Sequence, residues 1–261
     1  LSTASDSPPI PPPDLTAGSA VVYNPYDDMI LYQKNAEQPF GLASISKIMT
    51  AIVALEHIGE HDVIEIHKEA VGMEGNEGGL LVGEHFTLRN LILLMLAASS
   101  NDSAAAIAEH VGMLYGAHSF EESQRVFAAL MNETAQKQGY LHTHFENPTG
   151  LDADENAGIA SNVSTAIETA HLIAYALRYP LISALHTVPS ILYSEEGTPH
   201  SFSSTHEILV NESGIISGKT GFTDTAGGTL ATAAKIPFGK LSIIVVLDST
   251  RLGRFEDTRH V

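Results

Sequence analysis

Apolar and polar residues alternate near both ends of the chain. The stretch SAVVYNPYDDMILYQKN alternates on both sides of an Asn-Pro and Asp-Asp turn, which predicts a β-hairpin over about 19–33. The stretch GGTLATAAKIPFGKLSIIVVLDS (227–249) predicts a second hairpin, with its turn at Pro237 to Gly239. Strands are therefore expected at both ends of the chain.

Between the hairpins the apolar residues recur with the period of a helix. One apolar stripe covers 45–55 and another covers 91–98. Capping boxes, in which Ser or Thr precedes Glu by three residues, predict helices over 119–139 and 165–177. Terminal strands that enclose helices predict an α+β fold, with an antiparallel sheet formed from both chain ends, helices on its faces and a helical subdomain. Stretches rich in Gly, Asn and Asp predict loops over 72–85 and 147–160.

Composition narrows the possible partners. The 261 residues include 31 acidic and 13 basic side chains, a formal net charge of -18. Such a surface repels a phosphate backbone, so we expect no nucleic-acid partner. The chain has no cysteine, which excludes disulfides and thiolate chemistry.

The first fifteen residues differ in composition from the rest. Their sequence, LSTASDSPPIPPPDL, predicts an extended Ser/Pro-rich tether over 1–15, followed by one domain over 16–261. The apolar runs 91–98 and 241–247 are shorter than the roughly 18 residues that span a bilayer. We therefore expect any export signal or membrane tether to lie outside this sequence.

The stretch GLASISKIMTAIVALEHI begins with a candidate nucleophile. A serine hydroxyl needs a base within hydrogen-bond reach. Residues three apart share a helix face, so Lys47 lies beside Ser44, whereas Ser46 has Met49 in the equivalent place. A lysine serves as a base when burial lowers its pKa. The alternative is a solvated lysine in a first helical turn.

Two further motifs can supply the rest of an active site. Ser99 and Asn101, between two helical segments, offer a hydroxyl for proton relay and a carboxamide for a substrate amide; helix capping is the alternative. Lys219, Thr220 and Gly221 can present a cation and a hydroxyl from an edge strand, where Gly lets a substrate backbone come close. A phosphate-binding P-loop is rejected for 214–220, because only three residues separate its glycines.

The remaining candidates are interpreted more plainly. His142 and His144 are expected to be surface residues, and no metal or cofactor is predicted. Arg251 and Arg254 could help to bind a carboxylate, but solvated charge is the favoured interpretation. Phe145, Asn147 and Gly150 are expected to shape a loop near the site.

In this order, Ser44 to Lys47, Ser99 to Asn101 and Lys219 to Gly221 resemble the three signatures of penicillin-recognising serine enzymes. The flanking sequences resemble the S11 peptidases, the low-molecular-weight penicillin-binding proteins with serine D-alanyl-D-alanine carboxypeptidase activity. The resemblance runs from about Ala17 to Arg254 and implies a β-lactamase/DD-peptidase-like fold. Ser100 stands where the family usually has Gly, and Glu168 where it has Asp; the matching stretches are ASISKIMTA, SSNDSAA, FENPTGLD, STAIE and GKTGFTDTAGGTL.

The resemblance also implies roles. Ser44 would attack the D-Ala–D-Ala carbonyl while Lys47 takes its proton, and Ser99 would pass a proton to the leaving amine. Asn101 would hold the substrate amide, and Lys219, Thr220 and Gly221 would bind the substrate's carboxyl end. The backbone N–H groups of Ser44 and Phe222 would form the oxyanion hole.

The implied partners are a peptidoglycan stem peptide and β-lactam antibiotics as covalent inhibitors, and the implied location is extracytoplasmic. The alternatives are a D,D-endopeptidase that cleaves cross-links, a serine β-lactamase and an inactive penicillin-binding scaffold. The β-lactamase interpretation is less favoured, because the chain has no convincing match to the loop of class A β-lactamases whose Glu activates a deacylating water.

Overall fold

The computed structural model describes residues 13–261 except 76, 155–157, 186–189, 207–211, 213 and 236–239. Most of the predicted tether, residues 1–12, and the predicted turn at 237–239 lie outside the described residues. Within them the strands are β1 Ser19–Asn24, β2 Met29–Lys34, β3 Phe40–Gly41, β4 Val63–Glu65, β5 His85–Thr87, β6 Val163–Ser164, β7 Ile191–Tyr193, β8 Pro199–Ser201, β9 Ile215–Thr223, β10 Gly227–Lys235 and β11 Leu241–Ser249. The α-helices are α1 Lys47–His57, α2 Lys68–Val71, α3 Leu88–Ala97, α4 Asn101–Leu114, α5 Phe120–Lys137, α6 Ala166–Ala176, α7 Pro180–Ser183 and α8 Gly253–His260.

The main sheet combines the two ends of the chain, as predicted. Its strand order is β2-β1-β11-β10-β9, and every neighbouring pair is antiparallel. Val245 of β11 pairs with Val21 on one side and with Ala231 on the other, so the first strand lies beside the last. This order leaves β9, which carries the Lys-Thr-Gly motif, at an edge of the sheet.

Helices cover both faces of this sheet. Residues along a strand point to alternate faces. Val245 belongs to the large core that includes residues of α6, whereas Val246 lies on the other face. On that second face Phe255 of α8 packs against Leu230. The predicted α+β fold with helices on both sides of the sheet is confirmed.

The helices α1 to α5 form the helical subdomain. The apolar stripe that the sequence predicts over 45–55 is buried in the core, and α3 is buried along nearly its whole length. Ser119 and Thr165 cap α5 and α6 by accepting from the backbone N–H of Glu122 and Glu168. No helix among the described residues is long and apolar enough to cross a bilayer.

Candidate active site

Ser44 lies in a short turn that leads into α1. Residues Ala43–Ser46 form a 3₁₀ turn, and α1 begins at Lys47. The sequence predicted Ser44 and Lys47 on one helix, whereas the structure divides them between the turn and the helix. Because a 3₁₀ turn has three residues per turn, the side chains three apart still lie one above the other. Ser46 instead donates to the carbonyl of Ala43, 2.7 Å away, and is fully buried.

Close backbone packing fixes this turn from two sides. A Cβ at Gly221 of β9 would lie 2.8 Å from the Ser44 nitrogen, and one at Gly150 would lie 2.0 Å from the Ala43 carbonyl oxygen. Only glycine permits approaches this close. Ala43 itself has φ +46°, a left-handed conformation that is rare outside glycine and marks a strained position. The edge strand and the loop around Gly150 therefore pack directly against the turn that carries Ser44.

The Lys47 amine lies at the centre of a buried set of oxygen atoms. Its Nζ is 2.8 Å from Ser44 Oγ, 2.6 Å from Asn101 Oδ1 and 2.6 Å from the carbonyl oxygen of Thr149. Lys47 is 0% exposed. All three partners are neutral, so the amine is held in position without a carboxylate in direct contact.

This environment changes the protonation of the amine. Burial lowers the pKa of Lys47 from 10.5 to about 7, because desolvation disfavours the charged ammonium. The negative charge of Asp102 acts in the opposite direction and is the smaller effect. A large fraction of Lys47 is therefore neutral near neutral pH, and a neutral amine can accept the proton of Ser44.

The junction of α3 and α4 carries the second motif. Ser99 has φ +64°, a second left-handed non-glycine residue at the site. Ser100, not Ser99 or Asn101, is the N-cap of α4, because its side chain accepts from the Ser103 N–H. Asn101 Nδ2 donates to the Glu74 carbonyl at 2.7 Å. An amide nitrogen has two N–H donors, so one remains for a ligand.

The third motif approaches from β9. Lys219 Nζ donates to Ser99 Oγ and to the Thr220 carbonyl, each at 2.8 Å, and the side chain is fully buried. Burial first, then the charges of Lys47 and Arg254, lower the pKa of Lys219 well below 10.5. Thr220 Oγ1 lies 2.7 Å from Thr205 Oγ1. Burial thus disfavours the charged form of Lys219, and an anion bound beside its amine would favour that form.

These three segments line one cleft of about 460 Å³. It runs between the helical subdomain and the edge of the main sheet. The structure thus brings together the residues that the sequence singled out, since Lys47 bonds to Ser44 and Asn101 while Lys219 bonds to Ser99. Both lysines are buried around the cleft, which is itself lined by Ser44, Ser99, Asn101, Thr220, Gly221 and Phe222.

The favoured interpretation of Arg254 as a solvated charge is wrong. The chain turns back after β11 into α8, which folds Arg254 over the sheet edge; the residue is 8% exposed and donates to the Gly221 carbonyl at 2.5 Å. Arg251 is exposed as expected, although it also lines the cleft and its guanidinium carbon is 5.2 Å from the centre of the Phe222 ring.

Sequence reasoning missed two groups that orient the motifs. One is the Thr149 carbonyl, which binds Lys47; the loop that presents it is folded by Asn147 Oδ1, which accepts from the N–H groups of Thr149 and Gly150. The second is Asp102, fully buried, which accepts from Ser100 Oγ and from the N–H groups of Gly78 and Leu80. The turn-forming sequence 147–150 was the available signal for the first group.

His142 and His144 are exposed, as expected. His142 Nδ1 lies 3.0 Å from Glu168 Oε1, and Thr143 donates to Glu168 Oε2 at 2.6 Å. The Glu168 carboxylate thus binds the start of the segment after α5. It tethers that segment to α6, away from the cleft.

Comparison with known proteins gives a consistent result. The family described as D-alanyl-D-alanine carboxypeptidase, peptidase S11, matches residues 4–251. A D-alanyl-D-alanine endopeptidase of Pseudomonas aeruginosa is 29% identical over 262 residues, which cover 95% of this chain and 79% of that protein.

Solved structures give the same picture. A mutant of the Streptomyces K15 DD-transpeptidase superposes with a TM-score of 0.84 at 26% identity, covering 95% of this chain and 96% of that one. Penicillin-binding protein D2 of Listeria monocytogenes, in its ampicillin-bound form, has a TM-score of 0.74 at 26% identity, with 96% and 97% covered. Both neighbours have the fold that the sequence resemblance implied.

Proposed function

This chain belongs to the D-alanyl-D-alanine carboxypeptidase family of S11 peptidases, and from that premise we propose that it removes the terminal D-Ala from peptidoglycan stem pentapeptides through an acyl-enzyme on Ser44. One observation carries the assignment of the nucleophile. A buried amine with a pKa of about 7 lies 2.8 Å from the Ser44 hydroxyl, in a cleft that all three motifs reach.

The acylation step uses groups of this chain alone. Ser44 Oγ attacks the carbonyl carbon of the D-Ala–D-Ala bond while Lys47 Nζ accepts the hydroxyl proton. The C–N bond then breaks, and the departing D-Ala amine receives a proton through Ser99. Water hydrolyses the resulting ester, which releases the shortened peptide and returns the proton to Ser44. The Asn101 and Thr149 oxygens, each 2.6 Å from Lys47 Nζ, support this role because they keep the amine in place through both steps.

The negative charge on the carbonyl oxygen needs nearby donors. We assign this role to the backbone N–H groups of Ser44 and Phe222. The assignment is supported by Gly221, where even a Cβ would lie 2.8 Å from the Ser44 nitrogen, so the two N–H groups belong to adjoining backbones. Removing one such donor typically lowers turnover about 10²- to 10³-fold.

The substrate's terminal carboxylate would bind at Lys219 and Thr220. Burial, Lys47 and Arg254 lower the pKa of Lys219, and an arriving carboxylate favours its protonated form, so binding and protonation support each other. Arg254 holds the Gly221 carbonyl and adds positive charge nearby. The remaining N–H of Asn101 would donate to the carbonyl of the substrate's side amide.

The same cleft accounts for the proposed partners. A β-lactam presents a strained amide with a carboxylate close by, so it would acylate Ser44 as an inhibitor. Peptidoglycan lies outside the cytoplasmic membrane, which makes the proposed location extracytoplasmic. We further propose that a membrane tether outside this sequence adjoins the Ser/Pro-rich residues 1–15.

The proposal is tested by intact mass after exposure to a penicillin. The wild type should gain one covalent adduct and Ser44→Ala none, while Ser46→Ala, which removes the neighbouring buried serine, should keep the adduct. An adduct on Ser44→Ala would refute the assignment of the nucleophile. An adduct that disappears within seconds would indicate a β-lactamase, and absence of D-Ala release from a pentapeptide by an acylated wild type would indicate an inactive scaffold.

A D,D-endopeptidase activity is the second candidate. It is favoured by the similarity to the Pseudomonas endopeptidase and uses the same residues on a cross-linked substrate. Release of an amine-bearing peptide from dimeric muropeptides, compared with release of D-Ala from a pentapeptide, separates the two activities.

A further inference from the structure

Arg251 differs from most of the other exposed basic residues. Arg89, Lys137, Lys240 and Arg259 each lie within 4 Å of a carboxylate oxygen. For Arg251, by contrast, no carboxylate within that distance is found in the part of the chain that the structure describes. Its guanidinium stacks on an aromatic ring and makes no hydrogen bond to another described residue, so its donors are available to a ligand.

The position of Arg251 relative to the motifs is defined by β9. Its guanidinium carbon is 5.2 Å from the centre of the Phe222 ring, and Phe222 is 38% exposed beside the cleft. A cation stacked on an aromatic ring is attracted to the ring face and is held with its N–H groups pointing outward. Thr223 and Leu252, the residues that follow Phe222 and Arg251 in the chain, also line the cleft.

The proposed substrate geometry fixes which part of a peptide reaches this end, so the inference rests on the proposed function. The terminal carboxylate lies at Lys219 and Thr220, and the scissile carbonyl lies at the N–H of Phe222. An extended chain advances about 3.3 Å per residue, as β9 itself does. The two terminal D-Ala residues of the substrate therefore lie along β9 between Thr220 and Phe222. The next residue towards the substrate's N-terminus, the third stem residue, lies beyond Phe222.

We propose that Arg251, held on the Phe222 ring, recognises a carboxylate on the side chain of the third stem residue. The substrate class is then a stem peptide whose third residue is a diamino dicarboxylic acid with a free side-chain carboxylate. A guanidinium suits this group because its planar fork can donate two parallel hydrogen bonds to one carboxylate. In a chain with a formal net charge of -18, a local cation is needed to hold such an anion.

The test compares two synthetic peptides that differ in one group. Both have an acetylated third residue followed by D-Ala–D-Ala; in one this residue is 2,6-diaminopimelic acid with a free side-chain carboxylate, and in the other the carboxylate is an amide. The measured quantity is the ratio of kcat/KM for the two peptides. The wild type should prefer the carboxylate about 5- to 10-fold, as expected for one charge-assisted contact that is partly exposed.

Variants assign the preference to one side chain. Arg251→Gln should bring the ratio close to 1, and Arg251→Lys should restore part of it. Arg125→Gln, which removes an exposed cation of α5, should leave the ratio at the wild-type value. A wild-type ratio of 1, or an equal loss for both peptides in Arg251→Gln, would overturn the proposal, because Arg251 would then act on a part that both peptides share.

A second readout separates this inference from the proposed function. Each peptide is also used to slow the acylation of Ser44 by a fluorescent penicillin, which reports binding without hydrolysis. If the wild type releases no D-Ala from either peptide, the carboxypeptidase proposal fails. In that case the carboxylate peptide should still slow the acylation of the wild type more strongly than the amide peptide does. With Arg251→Gln the two peptides should slow acylation equally. Equal slowing by both peptides in the wild type would refute the assignment of Arg251.

Discussion

Lys47 at the start of α1 and Lys137 at the end of α5 are both helical lysines in contrasting surroundings. Lys137 is 68% exposed at its side chain and lies 2.8 Å from a Glu133 oxygen, whereas Lys47 is fully buried and touches neutral oxygens. The hydrogen bond and charge of Glu133 raise the pKa of Lys137, and burial lowers that of Lys47 to about 7. The environment therefore decides whether a lysine is an ion or a base.

The difference also explains how an acidic protein keeps a site for anions. Five surface cations pair with carboxylates, namely Lys68, Arg89, Lys137, Lys240 and Arg259. Lys47 and Lys219 instead lie in the interior, near each other and near Arg254. Burial and the nearby positive charges of Lys47 and Arg254 lower the pKa of Lys219, so a neutral Lys47 makes a charged Lys219 less costly. One amine can then be neutral for proton transfer while the other binds an anion.

The largest effect on acylation is expected when Lys47 loses its amine. Lys47→Met should slow acylation by a penicillin about 10²- to 10⁴-fold, the usual contribution of a positioned general base. The rate constant is measured by stopped-flow with a fluorescent penicillin, and circular dichroism checks that the variant is folded. A folded variant with wild-type acylation would show that another group accepts the Ser44 proton.

A smaller effect on acylation is expected when Lys47 gains a carboxylate neighbour like the one that Lys137 has. Asn101→Asp places a carboxylate where Oδ1 lies 2.6 Å from Lys47 Nζ. An opposite charge this close raises the pKa of Lys47 by about one to three, so acylation at pH 7 should fall about 5- to 500-fold.

The pH dependence of Asn101→Asp distinguishes charge from geometry. Because the neutral amine is the active form, the rate should rise again with pH and approach the wild-type value where Lys47 loses its proton. A loss that is equal at all pH values would show that Asn101 acts only by holding the substrate.

The smallest effect on acylation is expected when the exposed Lys137 is replaced. Lys137→Met removes an exposed ion pair that lies within one helix, and such pairs add little to stability. Neither the acylation rate nor the melting temperature should change beyond experimental error. A clear loss of acylation here would mean that surface charge, rather than the local environment of Lys47, controls the site.

The sequence predicted what depends on local spacing. Alternating residues located the strands at both ends, and the three-residue spacing selected Ser44 over Ser46 even though the turn is 3₁₀ rather than α-helical. Capping boxes located α5 and α6, since Ser119 and Thr165 bond to residues three positions along the chain. Such contacts join residues only three positions apart, so the local sequence is enough to predict them.

The sequence could not predict contacts that join distant segments. The Thr149 carbonyl reaches Lys47 across 102 residues, and no side-chain pattern identifies a backbone oxygen as a partner. The sequence favours a solvated charge at Arg254, because nothing in it indicates that α8 folds back onto the sheet. In the structure Arg254 donates to the Gly221 carbonyl at 2.5 Å. Glu168 likewise gives its N–H to the predicted cap, but its carboxylate binds His142 and Thr143.

The proposed mechanism requires the amine beside Ser44 to be neutral near neutral pH. An NMR titration of the wild type with ¹³C-labelled lysine side chains measures this protonation, and the Lys47 signal is assigned by its absence from Lys47→Met. The chain has only seven lysines, so the signals can be resolved. We expect a midpoint near 7 for Lys47, with Lys137 still charged at pH 10. A Lys47 midpoint near 10.5 would show that the amine is charged at neutral pH and cannot accept the Ser44 proton.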